Sequence, residues 1–204
     1  MTASETARPS RRAVTVSTHS AAATRAFAAG LAAVASPGDR LALVGPLGAG
    51  KTQFAKGFAA GLGVREVVNS PSFTLMAEYA GRLPLFHQDL FRLAGAAEAI
   101  EGGLLDERQD GGVTLSEWAD RLGPVIDPER LEVRIHVTGE DDRRIELLGP
   151  ADGRYDVYLS AGSAWDPANA ALGGLAADVE DLPSTREAAP WRPVSAQEAA
   201  GGGR

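Results

Sequence analysis

The segment 45–52, with the sequence GPLGAGKT, places the strictest limit on how this chain can fold. It fits G-x-x-x-x-G-K-[ST], the phosphate-binding loop of nucleotide hydrolases. The apolar run 41–44 precedes it, as expected of a buried strand, and Phe54, Phe58 and Leu62 follow it at helical spacing. A strand, a glycine-rich loop and a helix in this order form the setting in which the motif binds phosphate.

The residue types of the loop predict how it would bind an anion. Its glycines let the backbone turn tightly, so that N–H groups converge on a phosphate at the start of the helix. Lys51 would reach the β- and γ-phosphates, and the Thr52 hydroxyl would ligate Mg²⁺. The alternative, a glycine-rich turn before an ordinary helix, does not explain the fixed spacing. The residues predicted to bind nucleotide in this loop are Gly45, Pro46, Leu47, Gly48, Ala49, Gly50, Lys51 and Thr52.

Composition limits the compartment and the partners. The chain has 204 residues and no Cys, which excludes a disulfide framework and thiolate chemistry and fits a reducing compartment. No apolar run approaches the roughly 20 residues of a membrane span, and no secretory signal is expected. We therefore expect a cytoplasmic protein that does not contact a membrane. The formal net charge of −7 argues against direct binding of nucleic acid by the overall electrostatic field of the protein.

Lysine usage bears on which nucleotide is bound. Lys51 and Lys56 are the only lysines of the sequence. Ras-type GTPases read guanine with an N-K-x-D motif, and no Lys remains to form one. ATP, or an unselective site, is the expected ligand.

Periodicity predicts alternating strands and helices along the chain. A first strand is expected over 13–17, followed by a helix that Ser20 caps. Alternation predicts a strand from Phe73 to Tyr79 and an antiparallel hairpin formed by 131–139 and 143–149. The predicted domains are a disordered tail over 1–11, the P-loop domain over 12–149 and a low-complexity, poorly ordered extension over 150–204.

Two acids stand where predicted strands end. Asp89 follows one strand and could hold Mg²⁺ through water or orient the attacking water, or it could cap the next segment. Glu117 ends VTLSE, which resembles a Walker B strand with Glu in place of the usual Asp. Thr24, in the helix after Ser20, could sit near the adenine, although plain packing also explains that helix. Arg143 or Arg144 could reach the nucleotide, or only balance adjacent acids.

The segment beyond residue 149 carries no motif. Its YDVYLS sequence, residues 155–160, could add a short strand, and residues 168–180 a short helix. The rest of this extension is rich in Ala and Gly and ends in GGGR.

Several segments together resemble one family. The order GPLGAGKT, NSPSFTLMAEY, HQDLFRL, LSEWADRL, LEVRIHV and RRIEL is similar to TsaE, also called YjeE, the small bacterial ATPase required for threonylcarbamoyladenosine modification of tRNA. The resemblance covers about residues 13–149. It implies an α/β fold, namely a P-loop NTPase-like three-layer domain with a mostly parallel mixed sheet. The phosphate loop alone would be unspecific, but its combination with S-P-[ST]-[FY]-T-L, H-x-D-L-[FY]-R-L and E-W at these separations is specific.

The resemblance implies roles for individual residues. ATP and Mg²⁺ would bind at residues 45–52, with Thr52 and Glu117 on the metal. Lys51, Asp89 and Glu117 would be the catalytic residues, Ser72 would belong to a switch-like segment and Arg143 would contact the nucleotide. Ser72 and Phe91 replace the family's usual Thr and Tyr.

The resemblance also implies partners. The family's ATPase is weak alone and acts on a complex of TsaB and TsaD, in which TsaD transfers the threonylcarbamoyl group to adenosine 37 of tRNA. This chain would reset that complex and would meet tRNA only indirectly. The residues alone leave two alternatives open, a small-molecule P-loop kinase and a binding module in which ATP is structural. A kinase usually needs an Arg-rich lid, and only Arg92 and Arg108 lie between Asp89 and Glu117.

Overall fold

The structure is a computed structural model that describes residues 11–104, 107–122 and 129–170. Two of the predicted features lie largely outside these residues. They are the disordered tail predicted over 1–11, of which only Arg11 is described, and the part of the extension beyond residue 170.

A seven-stranded mixed sheet forms the centre of the molecule, in the order β1-β7-β6-β2-β5-β4-β3. The central strands β6, β2, β5 and β4 pair in parallel, whereas the pairs β1–β7, β7–β6 and β3–β4 are antiparallel. Only β7 and β3 therefore oppose the other five strands, which confirms the predicted mostly parallel mixed sheet. The strands are β1 (Arg12–Thr18), β2 (Asp39–Val44), β3 (Met76–Tyr79), β4 (Leu85–Asp89), β5 (Val113–Glu117), β6 (Leu131–Val137) and β7 (Arg143–Gly149).

Helices cover both faces of this sheet. Successive residues of a strand point to opposite faces, so Leu85 packs in the larger core while Phe86 packs in a smaller one. The larger core joins the sheet to α1, α2 and α4, and the smaller one lies under α3 and two 3₁₀ helices. The helices are α1 (Ala21–Ala32), α2 (Lys51–Gly61), α3 (Ala96–Glu101), α4 (Asp156–Ser163) and α5 (Pro167–Ala170), and the 3₁₀ helices span Glu107–Gly111 and Ala119–Leu122.

The first helix begins as its sequence predicts. Ser20 is the N-cap residue of α1, and its hydroxyl accepts a hydrogen bond from the N–H of Ala23 at 3.0 Å. This bond satisfies one of the free donors of the first turn, which is why Ser is favoured there.

The strand predicted from Phe73 was wrong at its beginning. Residues 72–75 form a turn, in which the carbonyl of Pro71 accepts the N–H groups of Thr74 and Leu75 at 3.1 and 2.7 Å. Leu75 has a φ of 64°, and β3 begins only at Met76. The turn leaves the Phe73 side chain 88% exposed.

The strand predicted over 155–160 was also wrong, because this segment lies in α4. Tyr155, Tyr158 and Leu159 are spaced three and one apart, and all three are buried in the larger core. Tyr158 donates its hydroxyl to a carboxylate oxygen of Asp39 at 2.7 Å, which ties α4 to the start of β2. The packed core therefore continues past residue 149, into the segment assigned to the irregular extension.

Within the described ranges, no helix is both long enough and apolar enough to cross a membrane.

Candidate functional site

The predicted phosphate loop joins β2 to α2 at the parallel centre of the sheet. Gly48 and Gly50 have φ values of 76° and 101°, a region that other residues rarely adopt. Gly45 needs its lack of a side chain for another reason, because a Cβ atom there would lie 2.5 Å from the carbonyl oxygen of Ile135. The loop is thus folded tightly against β6.

The beginning of α2 has the free donors that an anion needs. Gly50 occupies the N-cap position, and no side chain among the described residues caps this turn. Nothing lies within 4 Å of the Cβ positions of Gly48 and Gly50, so the space in front of the loop is open. Free N–H groups and the positive end of the helix dipole favour a phosphate in this space.

Lys51 lies folded back against the loop. Its ammonium group donates to the carbonyl oxygens of Gly45 and Pro46 at 2.7 and 2.9 Å. The same nitrogen lies 3.5 Å from the centre of the Trp118 ring, a cation–π contact. Burial lowers the pKa of Lys51 below its usual value, and the negative charges of Glu117 and nearby aspartates oppose this shift in part. A bound phosphate would offer this cation a charged partner in place of two neutral carbonyls.

Trp118 reaches Lys51 through a special backbone conformation. It follows directly after β5 and has a φ of 58°, the left-handed region that side chains other than Asn and Asp rarely adopt. Phe91 packs on its ring with 4.9 Å between the ring centres. Backbone strain of this kind is of order 1–3 kcal/mol and concentrates at ligand sites.

Glu117 lies beneath Thr52, and its carboxylate is held from two sides. The Thr52 hydroxyl lies 3.0 Å from both carboxylate oxygens. The ring nitrogen Nε2 of His87 lies 2.9 Å from Oε1 of Glu117. The predicted metal residues Thr52 and Glu117 are therefore adjacent, as a shared ion requires.

The oxygen ligands that Thr52 and Glu117 could supply fit Mg²⁺ rather than a metal ion held by protein side chains alone. The described residues contain no group of three or more His, Cys, Asp or Glu side chains that could hold an ion. Mg²⁺ is commonly held by one or two protein oxygens together with water and substrate phosphates. Thr52 and Glu117 supply oxygens of that kind next to the phosphate loop.

Asp89 lies beside Glu117 because β4 and β5 are parallel and in register. The two acids are directly paired across the strands. One carboxylate oxygen of Asp89 accepts hydrogen bonds from the hydroxyls of Ser70 and Ser72, and the other accepts the N–H of Phe91 at 3.0 Å. Asp89 therefore ties the loop before β3 to the site. The sequence predicted a switch-like segment here, both from the resemblance and from the position of a hydroxyl-rich loop after the phosphate-loop helix, with a plain entry into a strand as the alternative.

These residues face one cavity of about 710 Å³. Its inner wall is formed by the phosphate loop, Asp89 and Glu117, and its mouth by Leu47, Phe73 and Arg92. Leu47 and Phe73 are 85% and 88% exposed, unusual fractions for apolar side chains of this size. Arg92 lies over the Phe73 ring, 5.1 Å from its centre.

Arg143 and Thr24 lie on the other side of the loop, around a second cavity of about 110 Å³. The Arg143 guanidinium donates to the carbonyl oxygen of Ala49 at 2.9 Å and to that of Asp142 at 2.9 Å. It thereby links the phosphate loop to the turn between β6 and β7. Thr24 is buried, and its hydroxyl lies 2.8 Å from that of Thr18. Arg144 instead pairs with Glu146 at 3.4 Å.

Sequence reasoning assigned no role at the site to His87, Ser70 or Arg92. A role for His87 could have been inferred from its position two residues before Asp89 on the same strand, because this spacing puts both side chains on one face of the sheet. Its contact with Glu117 depends on the strand order, which the sequence pattern alone does not give.

Comparisons with known proteins agree with one another. The family model described as "Threonylcarbamoyl adenosine biosynthesis protein TsaE" matches residues 18–145. The Bacillus subtilis protein named "tRNA threonylcarbamoyladenosine biosynthesis protein TsaE" is 48% identical over 145 residues, which are 70% of this chain and 89% of that protein. The Streptomyces coelicolor protein of the same name is 35% identical over 141 residues, or 65% of this chain and 95% of that protein.

A solved structure is also similar. The crystal structure of Bacillus subtilis YdiB is 38% identical in sequence and superposes with a TM-score of 0.59. The match covers 76% of this chain and 96% of that structure.

Proposed function

This chain belongs to the TsaE family, and we propose that it acts in threonylcarbamoyladenosine biosynthesis on tRNA as a Mg²⁺-dependent ATPase. The observation that carries the proposal is the convergence of Lys51, Thr52 and Glu117 in one cavity at the phosphate loop. Family membership supports the role in tRNA modification, and the geometry of the cavity supports Mg²⁺-dependent ATP hydrolysis.

Each residue would have a defined part in hydrolysis. The N–H groups of the loop and the Lys51 ammonium would bind the β- and γ-phosphates and stabilise the charge on the transferring group. Thr52 and Glu117 would hold Mg²⁺, which when bound would neutralise negative charge on the phosphates. The Lys51 ammonium has three N–H groups, and the carbonyls of Gly45 and Pro46 accept from two of them, so one is left for a phosphate oxygen.

We propose that Asp89 orients the water molecule that attacks the γ-phosphate. The oxygen of that water would bond to the γ-phosphorus while the bond to the β-phosphate oxygen breaks, and ADP, phosphate and one proton would leave. In the present arrangement, one Asp89 oxygen is occupied by Ser70 and Ser72 and the other by the N–H of Phe91. Among the described residues Oδ1 of Asp89 accepts only the bond from Phe91, so this oxygen keeps a lone pair that can accept a hydrogen bond from water.

We also propose that TsaB- and TsaD-type proteins are the partners, and that ATP turnover resets their complex between cycles. The exposed Leu47 and Phe73 at the mouth of the cavity are apolar surface that a partner would cover. Contact with tRNA would be made through these partners, because the chain carries a net charge of −7.

The experiment that tests the function is Mg²⁺-dependent ATP hydrolysis, alone and with TsaB and TsaD from the same source. We expect turnover that rises with the partners and falls by about a hundredfold or more in Lys51→Ala, which removes a charge facing the phosphoryl group. Turnover indifferent to the partners would count against the resetting role. Phosphate appearing on a metabolite, rather than in solution, would favour a kinase instead.

Two variants separate the roles of the acids. Asp89→Ala is expected to keep its affinity for Mg²⁺–ATP and to lose turnover, since Asp89 acts on the water. Glu117→Ala is expected to lose the Mg²⁺-dependent part of the affinity as well. Unchanged turnover in both variants would refute the assignment.

A further inference from the structure

His87 is a fully buried polar side chain in the middle of the sheet. It belongs to β4, flanked by Leu115 of β5 and Ala77 of β3, and its exposed fraction is 0%. Its face of β4 is that of Leu85 and of the larger core, where an apolar residue would be expected. A histidine at such a position needs an explanation beyond packing.

The environment of the ring defines its tautomer. Nε2 lies 2.9 Å from Oε1 of Glu117, whereas Nδ1 is buried and has no hydrogen-bond partner among the described residues. A proton on Nε2 satisfies the carboxylate. A proton on Nδ1 would place an unsatisfied donor in the core. The arrangement therefore corresponds to a ring that donates its Nε2–H to Glu117.

This arrangement is worse for stability than an apolar side chain of similar size would be. A buried polar atom without a partner costs about 1–3 kcal/mol. Leu115 and Ala77 beside His87 show that this layer of the sheet otherwise accepts apolar residues. Polar groups that break the local packing rule are expected at functional sites. The hydrogen bond to Glu117 compensates for this cost.

The bond fixes one half of the Glu117 carboxylate. Oε1 is held by His87 and also lies near Thr52, while Oε2 has the Thr52 hydroxyl as its hydrogen-bond partner in the described part of the chain. When Thr52 turns toward a metal, His87 still holds Oε1. Oε2 is then presented on the side of the phosphate loop.

We propose that His87 is a positioning residue for metal binding: its Nε2–H holds the Glu117 carboxylate in the orientation in which Oε2 meets Mg²⁺. This inference rests on the proposed function, since it concerns the same site. Outer-shell donors of this kind fix the orientation of a metal-binding group, and their loss costs about 10–100-fold in metal affinity.

Two substitutions at His87 form a matched pair. In His87→Gln the side-chain amide can place an N–H near the position of Nε2, whereas in His87→Asn the shorter amide reaches only the position of Nδ1. Both put an amide into the same buried space. They therefore differ mainly in whether a donor reaches Glu117.

The readout is the affinity for Mn²⁺ in the presence of ADP, measured from the free-ion signal in electron paramagnetic resonance. Nucleotide affinity in EDTA serves as the metal-free control. We expect His87→Asn to lose about tenfold or more in metal affinity, and His87→Gln to stay within about threefold of wild type, with equal nucleotide affinity in EDTA. Equal metal affinity in folded His87→Asn and wild type would overturn the inference. If wild type itself bound no metal with ADP, the proposed function would fail and the inference with it.

A second measurement needs no variant. The nitrogen shifts of the His87 ring in labelled wild-type protein report which nitrogen carries the proton. We expect the Nε2–H form both without ligand and with Mg²⁺–ADP. An Nδ1–H form, or a ring whose shifts show no bond at Nε2 when Mg²⁺–ADP is bound, would overturn the proposal.

Discussion

The hydroxyl oxygen of Thr52 lies 3.0 Å from both carboxylate oxygens of Glu117. The first residue of this pair follows the loop lysine at the start of α2, and the second ends β5. The contact brings the two predicted metal-binding residues together before any metal is considered. Because it joins residues 65 positions apart, it depends on the fold and not on local sequence.

The first prediction concerns the hydroxyl of Thr52. Thr52→Val keeps the shape of the side chain and removes the oxygen, whereas Thr52→Ser keeps the oxygen. We expect Thr52→Val to lose about tenfold or more of the Mg²⁺-dependent nucleotide affinity, since even outer-shell partners of a bound metal are worth that much. Isothermal titration with ADP, with and without Mg²⁺, measures the effect. A Thr52→Val protein whose affinity still depends on Mg²⁺ as wild type does would remove Thr52 from the metal site.

The second prediction concerns how α1 and α2 approach each other. A Cβ atom on Gly57 would lie 2.1 Å from the carbonyl oxygen of Arg25, a contact that neither backbone can relieve without moving. Gly57→Ala is therefore expected to destabilise the protein by at least about 1–3 kcal/mol, the usual range for overpacking. Denaturant unfolding measures this change.

Gly30 provides the matched control for that substitution. It is an exposed residue of α1, and nothing lies within 4 Å of its Cβ position. Gly30→Ala should stabilise the protein by about 0.5–1 kcal/mol, because Gly loses more backbone entropy in a helix than Ala does. If both substitutions changed the free energy of unfolding in the same direction, the result would contradict the close approach of the two helices.

The third prediction is a pH dependence at Glu132 of β6. Burial raises the pKa of this carboxyl, but hydrogen bonds from Arg134, at 2.5 Å, and from Arg11 outweigh it and hold the pKa below its usual 4.5. A carboxyl with a depressed pKa stabilises the fold above the unfolded pKa and loses that effect as pH falls through the folded one.

Glu132→Gln tests this stabilisation. The variant should lose about 1–3 kcal/mol at pH 7, the range for hydrogen bonds to a charged group, and more nearly the lower value because both arginines are partly exposed. The difference in unfolding free energy between variant and wild type should shrink as pH falls below 4.5. A gap that stays constant from pH 7 into this acid range would show that charge is not its cause.

The parts of the fold that were predicted correctly are those that local sequence determines. The loop over 45–52 has a fixed spacing, and the strands β2, β5, β6 and β7 show clear apolar patterns. Ser20 is a residue type that caps helices, and it does so here. Local rules also placed Asp89 and Glu117 at strand ends.

The parts that were missed depend on turns and on distant pairing. Alternation continues from Tyr79 back to Phe73, but the backbone bonds to Pro71 form a turn that the pattern does not reveal. The bond between His87 and Glu117 needs β4 and β5 to be neighbours, which a list of strands does not state. The spacing of Tyr155, Tyr158 and Leu159 fits a helix as well as a strand, and only packing against the sheet decides.

The last prediction is that α4 is part of the same folded domain as the sheet. Removing residues 150–204 would take three buried side chains, Tyr155, Tyr158 and Leu159, out of the larger core. Burial of each is worth about 1.5–3 kcal/mol, and a domain is stable by only about 5–15 kcal/mol in total.

A chain that ends at Gly149 should therefore unfold at a much lower temperature than the full chain, or fail to fold. A chain that ends at Ala170 keeps every one of these contacts and should melt close to the full-length protein. Tyr158→Phe tests the same docking more gently, because it removes the hydrogen bond from Tyr158 and leaves Asp39 Oδ2 with the N–H of Ser36 at 2.8 Å. The loss of this bond to a charged group should cost about 1.5–3 kcal/mol. Equal melting temperatures for the chains ending at 149 and 170, measured by calorimetry, would show that α4 adds nothing to the core.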